Sequence, residues 1–234
     1  MKIMMVEGRY KGGIDLSKLD TDKLPNTIGL ATTVQFLDYV DEVKQFLEQR
    51  GKKVFIDKMR QKYEGQLLGC DQGGAEKIKD NVDAFLYFGT GVFHPLGIAI
   101  NVNRDVFCYD PLHAIFSKID SKQVETYNKK RKGAYLKYLE AKEIALLVSM
   151  KPGQNNFKKA ADLKKHLVSM GKNAYIFVFD TLDFNQIENF PFVECWVNTA
   201  CNRILDDYDK FPKPLVDLSD IEKIEKVQLL TIRK

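Results

Sequence analysis

The soft, nucleophilic side chains in this chain are four cysteines, at positions 70, 108, 195 and 201. None forms a Cys-x-x-Cys pair and none has zinc-finger spacing with a histidine, so a local metal motif is absent. A metal site would have to be assembled from distant loops. Cys70 follows Gly69 and precedes Asp71, with helix-compatible sequence beyond. A helix start lowers a thiol's pKa and favours the thiolate that binds metal. The plainer reading is a cysteine packing a strand–helix turn. Cys201 ends an apolar stretch beside Asn202 and Arg203, whose guanidinium could hold a carboxylate or stabilise a thiolate; the plainer reading is again a small core residue. Cys108 sits in an aromatic run and Cys195 in an apolar one, and both read as core.

A glycine-rich stretch, Gly89-Thr90-Gly91-Val92-Phe93-His94-Pro95-Leu96-Gly97, reads as a loop whose free backbone N–H groups could cradle an anionic group. It is not the dinucleotide pattern Gly-x-Gly-x-x-Gly, because the third glycine falls at 97. His94, before Pro95, is expected to be extended, either as a ligand contact or as a structural histidine. His113 stands apart from any motif. His166 shares a polar helix face with Lys164 and Lys165. No Ser/His/Asp arrangement, paired-carboxylate motif or phosphate-binding loop is visible.

These residues must be positioned by a scaffold, and the scaffold repeats. Thr27–Thr33 reads as a strand, Val40, Val43 and Leu47 mark one helix face, Arg50-Gly51 ends that helix, and Lys53–Ile56 is a second strand. The same order returns in Glu143–Ser149, the face Ala160, Leu163 and Leu167, Met170-Gly171, and Ala174–Phe179. Gly51 and Gly171 stand where a left-handed C-cap is wanted. The strands are short and continuously apolar, as in parallel sheets covered on both faces. Further strands are expected at Asp83–Gly89, Ile98–Val102, Val106–Asp110 and Phe192–Asn198, with a connecting helix from about 118 to 141. The fold expected is α/β, with two tandem related domains, each a small mostly parallel sheet flanked by helices. The domains are expected at 15–138 and 139–234, with residues 1–14 a terminal strand (Ile3–Glu7) and its exit. Three loops then fall at strand C-terminal ends, where open parallel sheets bind ligands: Gln66–Asp71, Gly89–Gly97 and Asn198–Arg203.

Composition sets the limits. Hydrophobic residues are 44% and charged residues 29% of the chain, as in core-forming proteins, which argues against global disorder. No apolar run approaches the ~18–20 residues of a membrane span, and Glu7 and Arg9 arrive too early for a signal-peptide core, so a cytoplasmic location is expected. The net charge of +4 does not ask for a nucleic-acid partner. The one dense basic stretch, Lys129-Lys130-Arg131-Lys132, reads as a solvated helix face. Four cysteines in a chain of this size are not a disulfide scaffold.

Several motifs, in order along the chain, resemble the diphthamide-synthesis family of 2-(3-amino-3-carboxypropyl)histidine synthases. They are Leu24-Pro25 leading into Ile28–Phe36, Leu68-Gly69-Cys70-Asp71, Phe93-His94-Pro95-Leu96-Gly97 and Val106–Pro111 in the first half. In the second half they are Lys151-Pro152-Gly153-Gln154, then Ala200-Cys201-Asn202-Arg203 followed by Phe211–Leu215. The resemblance implies a fold of three related α/β domains, each giving one cysteine to a [4Fe–4S] cluster with S-adenosylmethionine at the open iron. It implies transfer of a 3-amino-3-carboxypropyl radical to a histidine of translation elongation factor two. The Cys-x-x-x-Cys-x-x-Cys motif of usual radical enzymes is absent, as the resemblance implies.

Carried over residue by residue, Cys70 and Cys201 match the middle- and last-domain metal ligands, and Gly89, Thr90, Gly91 and His94 are the candidate cofactor contacts. Met1–Tyr10 is similar to the final strand of the family's first domain, and Asn202 stands where the family usually has proline. The reading is therefore the larger part of a split transferase, oligomeric with itself or with a chain that supplies the first domain and a third cysteine. The alternative is a non-catalytic accessory or scaffold subunit of the same system. An unrelated two-domain protein binding a small anion at the glycine-rich loop is a third reading.

Overall fold

The structure is a computed structural model that describes Met4, residues 6–69 and residues 71–224. The chain divides into two units, Met1–Tyr127 and Asn128–Lys234.

In the first unit, β1 (Thr27–Thr32) runs into a 3-10 stretch and then α1 (Val40–Glu48), and β2 is Lys53–Phe55. Next come α2 (Gly73–Ile78), β3 (Ala84–Phe88), α3 (Phe93–Val102), β4 (Asp105–Asp110) and β5 (Ile115–Lys118). The sheet order is β2-β1-β3-β4-β5, all parallel except the edge strand β5. Successive residues of β3 serve opposite faces, which is why the whole strand is apolar. Phe85 and Tyr87 pack with Ile78, Ile98 and Val102 under α2 and α3. Leu86 and Phe88 pack with Phe36, Val43 and Leu47 on the other face.

The 20-residue helix α4 (Ser121–Glu140) spans the division between the units. The expected boundary near 138 moves to Tyr127 because Ala134 and Tyr138, farther along that helix, belong to the second unit's core. That unit continues with β6 (Glu143–Ser149), α5 (Phe157–Ser169), β7 (Asn173–Phe179), α6 (Phe184–Ile187), β8 (Cys195–Asn198) and β9 (Leu215–Asp217). Its sheet order is β7-β6-β8-β9, entirely parallel. Ile144, Leu146, Val148, Cys195 and Val197 face Ala160, Leu163 and Leu167 of α5.

The two units share more than strand order. Both α1 and α5 end in a left-handed glycine, Gly51 at φ 78° and Gly171 at φ 79°. In each, the glycine N–H bonds three residues back, to Glu48 and Val168, and the next N–H bonds to Leu47 and Leu167. That is the Schellman pattern, which satisfies otherwise orphaned helix carbonyls. The following lysines repeat the likeness: Lys52 Nζ donates to Leu24 O, and Lys172 Nζ to Tyr138 O and Leu139 O.

Three expectations change. Ile98–Val102 is the second half of helix α3, not a strand, and residues 93–97 are its first half rather than loop. Apolar residues at 95, 98, 99 and 102 form one helical face, a period that a short apolar run conceals. His94 is consequently helical, not extended. Pro95 lies in the first helical turn, where its missing N–H costs no hydrogen bond. The strand expected from Phe192 starts only at Cys195. Of the terminal strand expected at Ile3–Glu7, Ile3 and Met5 lie outside the described residues, while Met4, Val6 and Glu7 are not in a strand.

Glu7 nonetheless has defined partners. Its carboxylate accepts from Lys62 Nζ at 2.8 Å, Tyr63 Oη at 2.9 Å and Arg9 Nη2 at 2.8 Å. Those bonds, led by the one from Lys62, hold its carboxyl at about 2 instead of the ordinary 4.5. The sign follows: this tie is complete above pH 4.5 and is lost as pH falls through about 2. A carboxyl-detected NMR titration should place the Glu7 midpoint near 2; a midpoint near the ordinary value would show that the tie is not formed. In the first core, Leu47→Ala removes a fully buried side chain. It should cost about 2–5 kcal/mol of stability in urea unfolding.

Candidate functional site

In each unit, two neighbouring strands leave the sheet in opposite directions, and the crevice past their C-terminal ends is where such sheets hold ligands. In the first unit these strands are β1 and β3. Past β1 the chain 65–67 continues the sheet: Thr32 N donates to Gly65 O at 2.8 Å and Leu67 N to Thr32 O at 2.7 Å. Thr32 Oγ1 donates to Phe88 O at 2.5 Å, locking the ends of β1 and β3 together. Leu68 and Asp71 then exchange backbone bonds of 3.2 and 3.1 Å across the two residues between them, Gly69 and Cys70. Cys70 itself lies outside the described residues.

Three buried glutamines hold the loop that carries it. Gln72 Nε2 donates to Leu68 O at 2.9 Å, and Gln61 Nε2 to Asp71 O at 3.3 Å. Gln61 Oε1 accepts from Met59 N at 2.9 Å, and Gln66 Oε1 from Tyr63 N at 3.3 Å. Asp71 Oδ1 accepts from Gly73 N at 2.8 Å and opens α2. Nothing in the periodicity of the sequence marks these glutamines, since their role is to saturate loop backbone.

The glycine-rich loop meets the same place. A side-chain carbon on Gly69 would stand 2.7 Å from the Phe93 ring at the start of α3, so the ring would have to shift to admit one. Gly91 adopts φ 72°, Tyr87 Oη donates to Thr90 O at 3.2 Å, and the His94 ring stacks on Tyr87 with centroids 6.2 Å apart. Gly89, Thr90, Gly91 and His94 stand where β3 becomes α3, and Phe93 among them is the residue that lies against Gly69. His113, isolated in the sequence, pairs through Nδ1 with Asp110 Oδ2 at 2.9 Å. Burial pushes that carboxyl up, but bonds from His113 and Leu112 outweigh it and leave it below the usual range.

In the second unit the diverging strands are β6 and β8. Thr199 Oγ1 donates to Leu147 O at 2.7 Å, and Asn156 Nδ2 to Thr199 O at 2.7 Å, joining the loop after β6 to the loop after β8. Cys201, a free and half-buried thiol, closes that loop just before the 3-10 stretch Asn202–Lys210. The Arg203 guanidinium pairs with Asp206 at 2.6 Å, so a carboxylate of its own segment takes the role expected for a ligand carboxylate. Burial pushes the Asp217 carboxyl up, against the bonds from Ser219 and Asn198. Cys108 and Cys195 are core residues, and burial pushes each thiol up to about 12. Neither ionises readily, so neither is a ready metal ligand. No group of three or more His, Cys, Asp or Glu among the described residues is arranged to hold a metal ion. No helix among them is long and apolar enough to cross a membrane.

The thiols do not occupy equivalent places. Cys201 is the third residue after β8 ends at Asn198. The third residue after the corresponding strand β3, which ends at Phe88, is Gly91. Cys70 instead belongs to the loop between β2 and α2.

Each of the two units is thus a mostly parallel α/β sheet with loops at the C-terminal ends of its strands. The chain belongs to the diphthamide synthesis family: the family model described as "Putative diphthamide synthesis protein" matches residues 13–227. It is 35% identical to the 2-(3-amino-3-carboxypropyl)histidine synthase of Pyrococcus horikoshii, over 86% of this chain and 57% of that protein. It is 28% identical to subunit 1 of the same synthase from Aspergillus fumigatus, over 81% of this chain and 42% of that one. The crystal structure of Dph2 from Pyrococcus horikoshii with a 4Fe-4S cluster matches with a TM-score of 0.74 at 31% identity, covering 91% of this chain and 63% of that chain. The chain therefore spans about half the length of the curated relatives it matches.

The three thiols whose burial is described should differ in reactivity. In native protein, site-resolved alkylation should modify Cys201 while Cys108 and Cys195 stay protected; equal labelling of all three would contradict the assigned burial.

Proposed function

We propose that this chain takes part in transferring the 3-amino-3-carboxypropyl group of S-adenosylmethionine to a histidine of translation elongation factor two, in the cytoplasm. The observation that carries the reading is the contrast among its thiols. Cys201 is reachable at the C-terminal edge of β8, whereas Cys108 and Cys195 are sealed in the two cores. A soft, accessible thiol in an electrostatically polar turn suits iron–sulfur ligation, and a relative of the same fold holds a 4Fe-4S cluster. Cys201 and Cys70 would be the ligands from this chain. The chemistry that a bound cluster supplies is one-electron reduction of S-adenosylmethionine, breaking the bond from sulfur to the methionine γ-carbon.

This chain's own residues bind and orient. Gly89 N is bonded to Tyr109 O at 3.0 Å, so the N–H groups left to receive the carboxylate of the methionine moiety would be those of Thr90 and Gly91. The His94 ring, held by Tyr87, flanks that turn. Phe93 lies against Gly69 of the loop that carries Cys70. Cluster ligation requires thiolates beyond Cys70 and Cys201, supplied by a further stretch of the polypeptide or by another chain, with homo- or hetero-oligomers both compatible. That two-thiol inventory also favours a second reading, an accessory subunit that binds its catalytic partner without performing the transfer.

Anaerobic iron–sulfur reconstitution tests the proposal. With the further thiolate supplied by a candidate partner chain, visible charge-transfer absorption should appear, fall sharply in Cys201→Ala and in Cys70→Ala, and persist in Cys108→Ala. A full cluster in Cys70→Ala would defeat it. Conversion of S-adenosylmethionine to methylthioadenosine by the reconstituted protein, with and without a candidate partner chain, separates the transferase from the accessory subunit.

A further inference from the structure

The turn that carries Cys201 is held by a buried pair from two adjacent strands. Asn198 ends β8 and Asp217 ends β9, and the parallel register places them side by side. Asn198 is fully buried, and both polar atoms of its carboxamide are bonded. Oδ1 accepts from Ala200 N at 3.0 Å, while Nδ2 donates to Cys201 O at 2.8 Å and to Asp217 Oδ2 at 2.9 Å. Asp217 in turn accepts through Oδ1 from Ser219 N at 2.9 Å and Ser219 Oγ at 2.6 Å.

Direction matters in this chain of bonds. Asp217 offers only acceptors while ionised, so the amide must turn its NH2 toward it. That leaves Asn198 Oδ1 for Ala200 N and the second N–H for Cys201 O. One carboxylate thereby fixes the orientation of an amide, and the amide fixes both ends of the turn Asn198–Cys201. A buried amide with every bond made has no second arrangement of comparable energy. Cys201 contributes nothing to this arrangement except its carbonyl, which leaves the thiol free.

We infer that Asn198 and Asp217 are positioning residues for the Cys201 thiol, fixing its backbone so that the sulfur is presented in one direction. The inference rests on reading Cys201 as a cluster ligand. It adds residues that touch neither the sulfur nor the substrate.

The strand itself provides the control. Cys195 begins β8 three residues before Asn198 and is fully buried. General loosening of the unit exposes Cys195, whereas a loosened turn exposes Cys201 alone. In protein without metal, Asn198→Ala should raise the alkylation rate of Cys201 by roughly five- to tenfold, the effect of losing about one hydrogen bond, with Cys195 still protected. Asp217→Asn, which sets an N–H against the amide NH2 or against the Ser219 N–H, should move Cys201 in the same direction.

The exchange Asn198→Asp with Asp217→Asn is the sharper variant. It keeps an acid–amide bond between β8 and β9 but faces the Cys201 carbonyl with a carboxylate oxygen. A merely structural pair is rescued by that exchange; a positioning pair is not, and Cys201 stays fast while Cys195 stays slow. If Asn198→Ala does not fold, the exchange and Asp217→Asn decide the matter.

After reconstitution, the g-values of the reduced cluster should shift in these variants. Parallel acceleration of Cys195 and Cys201, no change at Cys201, or rescue of Cys201 by the exchange overturns the inference. Failure of wild-type protein to form any cluster with the further thiolate supplied instead defeats the proposed function and leaves the alkylation result standing.

Discussion

A parallel sheet delivers all its strand ends to one edge, and the backbone groups leaving the last rung there must still be bonded. Much of what is distinctive in this molecule is a response to that demand. In the first unit the segment 65–67 lies beside Thr32 and prolongs the sheet by one more pairing. In the second, Thr199 returns both its N–H and its hydroxyl to Leu147 O. Loops held in this way are restrained by the same kind of backbone bonds as strands, although they carry no strand periodicity. That rigidity makes an edge loop a suitable mount for a metal-binding thiol, because a ligand must be presented in one direction before the metal arrives.

The polar side chains that saturate these edges are amides and hydroxyls, not charges. Gln61, Gln66 and Gln72 do so in one unit, Asn156, Asn198 and Thr199 in the other. An amide can give and receive at once, and Gln61 and Asn198 each bridge a carbonyl to an N–H in this way without introducing a net charge. Asp71 and Asp217 are exceptions: the first accepts from Gly73 N, and the second is set one strand away, where it touches Asn198 and Ser219.

The sequence was most legible where burial sets a period. The faces Val43–Leu47 and Ala160–Leu163–Leu167, the left-handed glycines 51 and 171, and the β1 and β6 strands all stand where the apolar spacing puts them. It was least legible where a short apolar run fits two periods. Ile98–Val102 is rich in β-branched residues and reads as a strand, yet its contacts with Val82, Phe85 and Val106 are those of a helix covering the sheet. The expected site residues were visible as residue types at strand ends. Their supports were not, because Gln72 and Asn198 act on backbone atoms several residues away, and such partners follow from the fold alone. His113 was legible only as an isolated histidine; its bond to Asp110 depends on the tight turn after β4.

The two units repeat down to the lysine after each helix-ending glycine, yet their cysteine loops fall at different rungs, with Cys201 matching Gly91 and not Cys70. The repeated strand–helix–strand plan therefore sets the scaffold of each unit without setting the rung at which a cysteine stands, so a likeness between the two folds does not by itself carry a residue role from one unit to the other.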